Sequence, residues 1–139
     1  MRRHSGSCLC NGVRFAVLGD LPPVQVCHCG QCRKAQGTAI ATNVPVRRHD
    51  FVLEHGEDLL SSFESSPGKH RVFCRTCGSP VYSRRDALPD ILRIRLGLLD
   101  GPTGVRVAAQ YFVGEKAAWW PIDDEVPQFE TGPESRRLA

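Results

Sequence analysis

Cys74-Arg75-Thr76-Cys77-Gly78 is the stretch from which the rest of the chain can be read. In a C-x-x-C-G turn two thiolates converge on one ion, and the glycine takes a backbone conformation just past the second ligand that other residues resist. Such a knuckle gives two ligands, whereas a structural zinc site takes four. Cys8-Leu9-Cys10 offers another pair. In an extended segment residues i and i+2 share a face, so both sulfurs reach one metal while Leu9 turns away, toward the core. Joining Cys8 and Cys10 to Cys74 and Cys77 would staple the N-terminal segment to the middle of the chain. The plain alternatives are buried free thiols or a disulfide.

The third cluster, Cys27-His28-Cys29-Gly30-Gln31-Cys32, has a different character. Cys27 and Cys29 share a face, and Cys32 returns from a tight turn, so three thiolates come from one short stretch. His28 sits between two ligands and should point the other way, held by hydrogen bonds or exposed. Three protein ligands and an open fourth position are the pattern of a catalytic zinc, whereas a closed site would need His49, His55 or His70 from elsewhere in the chain. Spacing alone also leaves open another partition, in which Cys27, Cys29 or Cys32 joins the Cys74–Cys77 knuckle and Cys8 and Cys10 stay free.

Working outward, Pro and Gly punctuate short segments, as at Pro22-Pro23, Pro67-Gly68 and Gly101-Pro102, the habit of β-rich proteins. Strands are expected over 13–18, 39–46, 51–54, 72–73, 80–83, 91–99 and 107–113. Ile91 to Leu96 mixes apolar and basic positions, suggesting a strand with one wetter face. Only Cys32 to Gln36 looks helical. The expectation is a single mostly-β domain over 1–139, with 131–139 a frayed tail.

A chain of 139 residues, 41% apolar and 24% charged, builds one ordinary core. Its formal charge of +3 suits a small anion and falls short of a nucleic-acid-binding stripe. No apolar run reaches membrane-spanning length. The two arginines at the start precede no apolar stretch, so a secretory leader is not expected. The expected location is the cytoplasm, where cysteines serve as ligands or catalysts before they form disulfides. The seven cysteines cannot all pair. Nothing in the chain indicates its oligomeric state.

The order C-x-C, C-H-C-x-x-C-R and F-C-x-x-C-G-S, followed by the W-W-x-I-D-D-x-x-P-Q-F segment that starts at Trp119, resembles the glutathione-dependent formaldehyde-activating enzymes, the CENP-V/GFA domain group. The resemblance runs from Ser7 to about Phe129. It implies an Mss4-like fold of several small coiled β-sheets stapled by zinc, with two Zn2+ per chain. Cys8, Cys10, Cys74 and Cys77 would hold the structural ion, and Cys27, Cys29 and Cys32 the catalytic one. The implied activity is that of a carbon–sulfur lyase, joining glutathione and formaldehyde to S-hydroxymethylglutathione. Where relatives often carry histidine before the late strand, this chain has Gln110, which points toward a different substrate.

Chemistry drawn from the residues agrees. Three thiolates give a dication a net negative charge, which makes a weak Lewis acid that activates water poorly and prefers a soft ligand. A small thiol such as glutathione, with an aldehyde beside it, fits that preference. Arg33 and Lys34 follow the last ligand and are the nearest cations for glutathione's carboxylates; the plain alternative is a solvated helix face. Trp119 and Trp120 would wall the site, or simply pack in a core or a subunit contact. Asp100, Asp123 and Asp124 lie in loops, and none stands out as a general base. The competing function is a non-catalytic zinc module for a protein partner, to which a vacant coordination position brings nothing.

Overall fold

The computed structural model describes residues 2–122 and 125–139. The chain is predominantly β, as expected, and divides into two compact units. One comprises Met1–Pro22 and Val44–Gly104, the other Pro23–Asn43 and Val105–Ala139.

The first unit opens with β1 (Arg3–Ser7), which pairs antiparallel with β2 (Arg14–Leu18), and β2 in turn with β5 (Phe51–His55). Phe15, Ala16 and Val17 are buried in succession, so β2 is covered on both faces and reads as a continuous apolar run. Phe15 stacks on Phe51 at 5.1 Å between ring centroids, and Phe51 meets the edge of Tyr82 at 5.5 Å. Gly6 is where β1 must have no side chain: a Cβ there would lie 2.6 Å from Phe15 Cζ and 2.8 Å from the Leu98 carbonyl oxygen. The same unit holds an antiparallel meander of β6 (Leu60–Ser66), β7 (Lys69–Cys74), β8 (Pro80–Arg85) and β9 (Leu88–Arg95). Val72, Val81, Leu92 and Ile94 are its buried apolar residues.

In the second unit β3 (Val24–Cys27) lies between β10 (Val107–Tyr111), which runs parallel to it, and the first three residues of β4 (Ala41–Arg47), which are antiparallel. Cys27 ends β3, opposite Ala41 on one side and Tyr111 on the other. The helix α1 (Gly30–Gln36) follows. It starts two residues before the expected Cys32.

The expected strands all appear with shifted ends, and three more were not expected. β1 and β6 carry no apolar alternation: Gly6 is the one buried residue of β1, and none of β6 is buried. Backbone pairing rather than a buried face holds them. The run 91–99 is not one strand: β9 ends at Arg95, and a 3-10 turn covers Leu96–Leu98. Nor is its basic side uniformly wet, because Arg93 is half-buried and Arg95 buried. The segment 131–139, read as frayed, folds back on residues 128–130. Glu130 N–H donates to the Arg136 carbonyl at 2.9 Å and Leu138 N–H to that of Gln128 at 2.7 Å.

Candidate metal centres

Each of the two units carries one cysteine cluster. In the first, the sulfurs of Cys8, Cys10, Cys74 and Cys77 all lie within 4.8 Å of one another. Cys74 closes β7, and the chain then turns: Gly78 N–H returns to the Cys74 carbonyl at 2.7 Å. Gly78 itself adopts φ +80, the left-handed backbone that the glycine of the knuckle was expected to provide.

Cys8 and Cys10 reach the same place by a route the sequence did not suggest. They do not lie in an extended segment. The chain turns directly after β1, with Asn11 N–H donating to the Cys8 carbonyl at 3.1 Å and Asn11 itself at φ 64. Leu9 therefore faces solvent, 84% exposed, instead of entering the core. Its N–H donates to Ser79 Oγ at 3.0 Å, which ties the two ligand turns together.

The sulfur spacing fits a tetrahedral metal. Four thiolates about 2.3 Å from zinc stand about 3.8 Å apart, and Cys8–Cys10 and Cys10–Cys74 are 3.5 and 3.9 Å apart. The thiols are unequal. Ser79 hydrogen-bonds to Cys77 through its hydroxyl, 3.3 Å from the sulfur, and through its backbone, bringing that thiol down to about 5. Cys10 receives a backbone hydrogen bond from Gly12 that favours its thiolate. The neighbouring sulfurs, Cys8 first, together with desolvation outweigh it and push the thiol up to about 11. Cys77 thus ionises readily, while Cys10 resists ionisation until a cation offsets the neighbouring sulfurs.

The second cluster gathers Cys27, Cys29 and Cys32, again with all sulfurs within 4.8 Å. Cys29 is the N-cap of α1, and its sulfur accepts the Cys32 N–H at 3.3 Å. The helix closes at Gly37, whose φ of 67 lets its N–H reach the Arg33 carbonyl at 2.8 Å. Hydrogen bonding with Cys29 and Cys32, then burial, raises the Cys27 thiol far above its usual range. Among the described residues the group has three members and no histidine or carboxylate.

His28 is fully buried, with Nε2 2.7 Å from Gln110 Oε1. Hydrogen-bonded rather than exposed, it takes one of the two places expected of it. The three histidines weighed as a fourth ligand are engaged elsewhere or exposed: His70 Nε2 lies 3.1 Å from Asp86 Oδ1, His49 Nε2 lies 3.5 Å from Asp50 Oδ1, and His55 is exposed in β5. Glu64, His70 and Asp86 form a third close group. One of its two carboxylates is already paired with a cation, Arg84 reaching Asp86 Oδ1 at 3.2 Å.

Arg33 and Lys34 lie in the last turn of α1, Arg33 half-buried and Lys34 exposed. Trp119 is 70% exposed and meets Trp120 edge-on, so that tryptophan is not core. Asp100 N–H is tied to the Ser5 carbonyl. Asp123 and Asp124 lie outside the described residues. Sequence reasoning missed Glu115, whose Oε1 accepts the Gly30 N–H at 3.1 Å. A lone glutamate far from the cysteines in sequence carries no signal of that role.

A sequence model of the family described as glutathione-dependent formaldehyde-activating enzyme matches residues 3–115. The chain belongs to that family. A Halomonas elongata relative, provisionally named a glutathione-dependent formaldehyde-activating enzyme, is 34% identical over 63% of this chain. The match spans 59% of that relative's length. A Schizosaccharomyces pombe protein, named an uncharacterised lyase, is 22% identical over 93% of this chain and 92% of its own. A Rhodobacter sphaeroides protein of known crystal structure shares the fold. It has a TM-score of 0.60 and 23% identity, over 75% of this chain and 99% of that one. The two cysteine groups of this chain could each hold a metal ion. No helix among the described residues is long and apolar enough to cross a membrane.

Proposed function

We propose that the chain is a zinc-dependent carbon–sulfur lyase that joins a small thiol to an aldehyde, and reverses the reaction, with glutathione and formaldehyde as the first pair to test. Cys8, Cys10, Cys74 and Cys77 would hold one Zn2+ for structure, and Cys27, Cys29 and Cys32 a second for chemistry. The observation that carries the reading is the three-sulfur group in the second unit, complete in ligands for a catalytic zinc and one short for a structural one. When bound there, zinc would supply a soft Lewis acid that lowers the pKa of an incoming thiol.

In the reaction the thiol loses its S–H proton, a C–S bond forms to the carbonyl carbon, and the carbonyl oxygen gains a proton. Arg33 and Lys34 are the cations beside the ligand loop for the thiol's carboxylates. Arg33 Nε is buried without a hydrogen-bond partner among the described residues, so its guanidinium keeps donor capacity to spare. The cytoplasm, where glutathione is abundant and thiols stay reduced, is the fitting location.

Protein loaded with cobalt tests the reading. Added glutathione should intensify the sulfur-to-metal charge-transfer band, and exchange NMR should show faster interconversion of formaldehyde with its glutathione adduct than a protein-free blank. A band that no thiol changes would overturn it. A changed band without faster exchange would reject formaldehyde while keeping the thiol.

A further inference from the structure

The ligand loop alternates metal-binding and non-binding residues: Cys27, His28, Cys29, Gly30. Both non-binding residues are held from one short segment, residues 110–115. Gln110 Oε1 lies 2.7 Å from His28 Nε2. The Tyr111 carbonyl accepts the His28 N–H at 3.0 Å. Glu115 Oε1 accepts the Gly30 N–H at 3.1 Å. The same loop is thus gripped on the buried His28 and on the first residue of α1, while the three sulfurs are left to converge.

The segment reaches both points because it reverses sharply after β10. Phe112 has φ 57 and ψ 40, the left-handed region that a bulky residue enters only at a cost of about 1–3 kcal/mol. Phe112 N–H bonds to the Thr131 carbonyl at 2.9 Å, Val113 N–H to that of Phe129 at 3.0 Å, and Glu115 N–H to that of Phe112 at 3.0 Å. These bonds hold the reversal and bring the Glu115 side chain back toward Gly30. Gln110 is equally fixed: it is buried, its N–H donates to the Pro127 carbonyl at 2.9 Å, and its own carbonyl accepts from Phe129 N–H at 2.8 Å.

We infer that Gln110 and Glu115 are positioning residues that set the metal affinity and geometry of the three-cysteine site through His28 and Gly30. Groups that orient ligands in this way commonly change metal affinity on the order of 10- to 100-fold when removed. The inference rests on metal binding at Cys27, Cys29 and Cys32, but not on the identity of the thiol or aldehyde.

The test is zinc release to a chromogenic chelator from the full chain, where two sites should give two phases. Cys32→Ser, which deletes one phase, assigns it. Glu115→Ala changes an exposed side chain and is expected to weaken the assigned phase on the order of 10- to 100-fold, leaving the four-cysteine phase within about two-fold. Glu115→Gln keeps an oxygen for the Gly30 N–H and should restore most of the loss, which separates the hydrogen bond from the charge. Gln110→Ala should act in the same direction, and the cobalt spectrum of the three-cysteine site should shift with it. An unchanged assigned phase in Glu115→Ala would overturn the inference, as would equal weakening of both phases or a Glu115→Gln variant no better than alanine. Because the readout uses no thiol substrate, a glutathione response that fails in the wild type leaves this result standing.

Discussion

Cys10 Sγ lies 3.9 Å from Cys74 Sγ, although the two residues are 64 apart in the chain. No disulfide joins them, and all seven cysteines are free. Unlinked sulfurs at this spacing match the corners of a tetrahedral zinc site. A dication there would remove the mutual cost of ionising them.

The first expected outcome is therefore stoichiometric. Protein produced with zinc available and purified without chelators should contain two zinc ions per chain by elemental analysis. One ion per chain would mean that only one cluster is a metal site.

The two sites should also fail differently. Cys77→Ser removes a ligand from the closed group and with it much of a zinc-linked folding energy on the order of 10 kcal/mol, so most of the chain should lose its cooperative melt. Cys32→Ser should keep a cooperative melt and lose one zinc. Equal collapse in thermal melts would contradict the division of labour between the clusters.

Spacing within one short stretch is a local property, so C-x-x-C-G predicts the turn at Gly78, and the structure has it; which distant pair joins that knuckle was left open by spacing and came from the family resemblance. The route taken by Cys8 and Cys10 was not legible. Strand alternation and a tight turn both bring residues i and i+2 to one metal, and the turn, fixed by Asn11 at φ 64, put Leu9 outside. The strands β1 and β6 were hidden for a different reason. Their side chains are mostly half-buried, with no alternation of buried and exposed positions, so nothing in the apolar pattern marks backbone pairing. The roles of Gln110 and Glu115 depend on long-range contact with His28 and Gly30, which no local pattern encodes.

Two glycines separate backbone strain from collision. Gly37 ends α1 at φ 67 with nothing near its missing Cβ, whereas Gly56, at φ 90, would drive a Cβ into the Gly12 carbonyl oxygen and to 2.8 Å from Val13 Cα. Gly37→Ala should cost about 1 kcal/mol from conformation alone. Gly56→Ala should cost more, about 3 kcal/mol or above, because backbone must move as well. Urea denaturation of the two variants measures both. Equal losses would mean that the Gly12–Gly56 approach is not rigid.

Asp86 gives an acid-side dependence whose sign is fixed. Its hydrogen bond to His70, then the charges of His70 and Arg84, hold its carboxyl below the usual 3.8. A depressed folded pKa means stability that is fully present above the unfolded value and lost as pH falls through the folded one. The window thus lies below about pH 4. In His70→Ala the Asp86 titration midpoint, followed by carboxyl carbon NMR, should move up toward 3.8. Identical midpoints in the two proteins would remove the pairing as its cause.

The cations after the last ligand should discriminate between thiols. Arg33 is half-buried, and its Nε lacks a partner among the described residues, whereas Lys34 is exposed. A charge-assisted hydrogen bond to a carboxylate contributes about 1.5–3 kcal/mol, so Arg33→Ala should raise the apparent KM for glutathione by about 10- to 100-fold. Lys34, in water, should matter by only a few-fold, because exposed pairs are worth about 1 kcal/mol or less. Arg33→Lys should not restore the loss, since an ammonium cannot reproduce the planar two-pronged donor. The control is a thiol without carboxylates, such as 2-mercaptoethanol. Its binding to the cobalt-loaded protein should be the same in the wild type and Arg33→Ala. If that thiol weakens as much as glutathione does, Arg33 supports the ligand loop and does not hold the substrate's carboxylates.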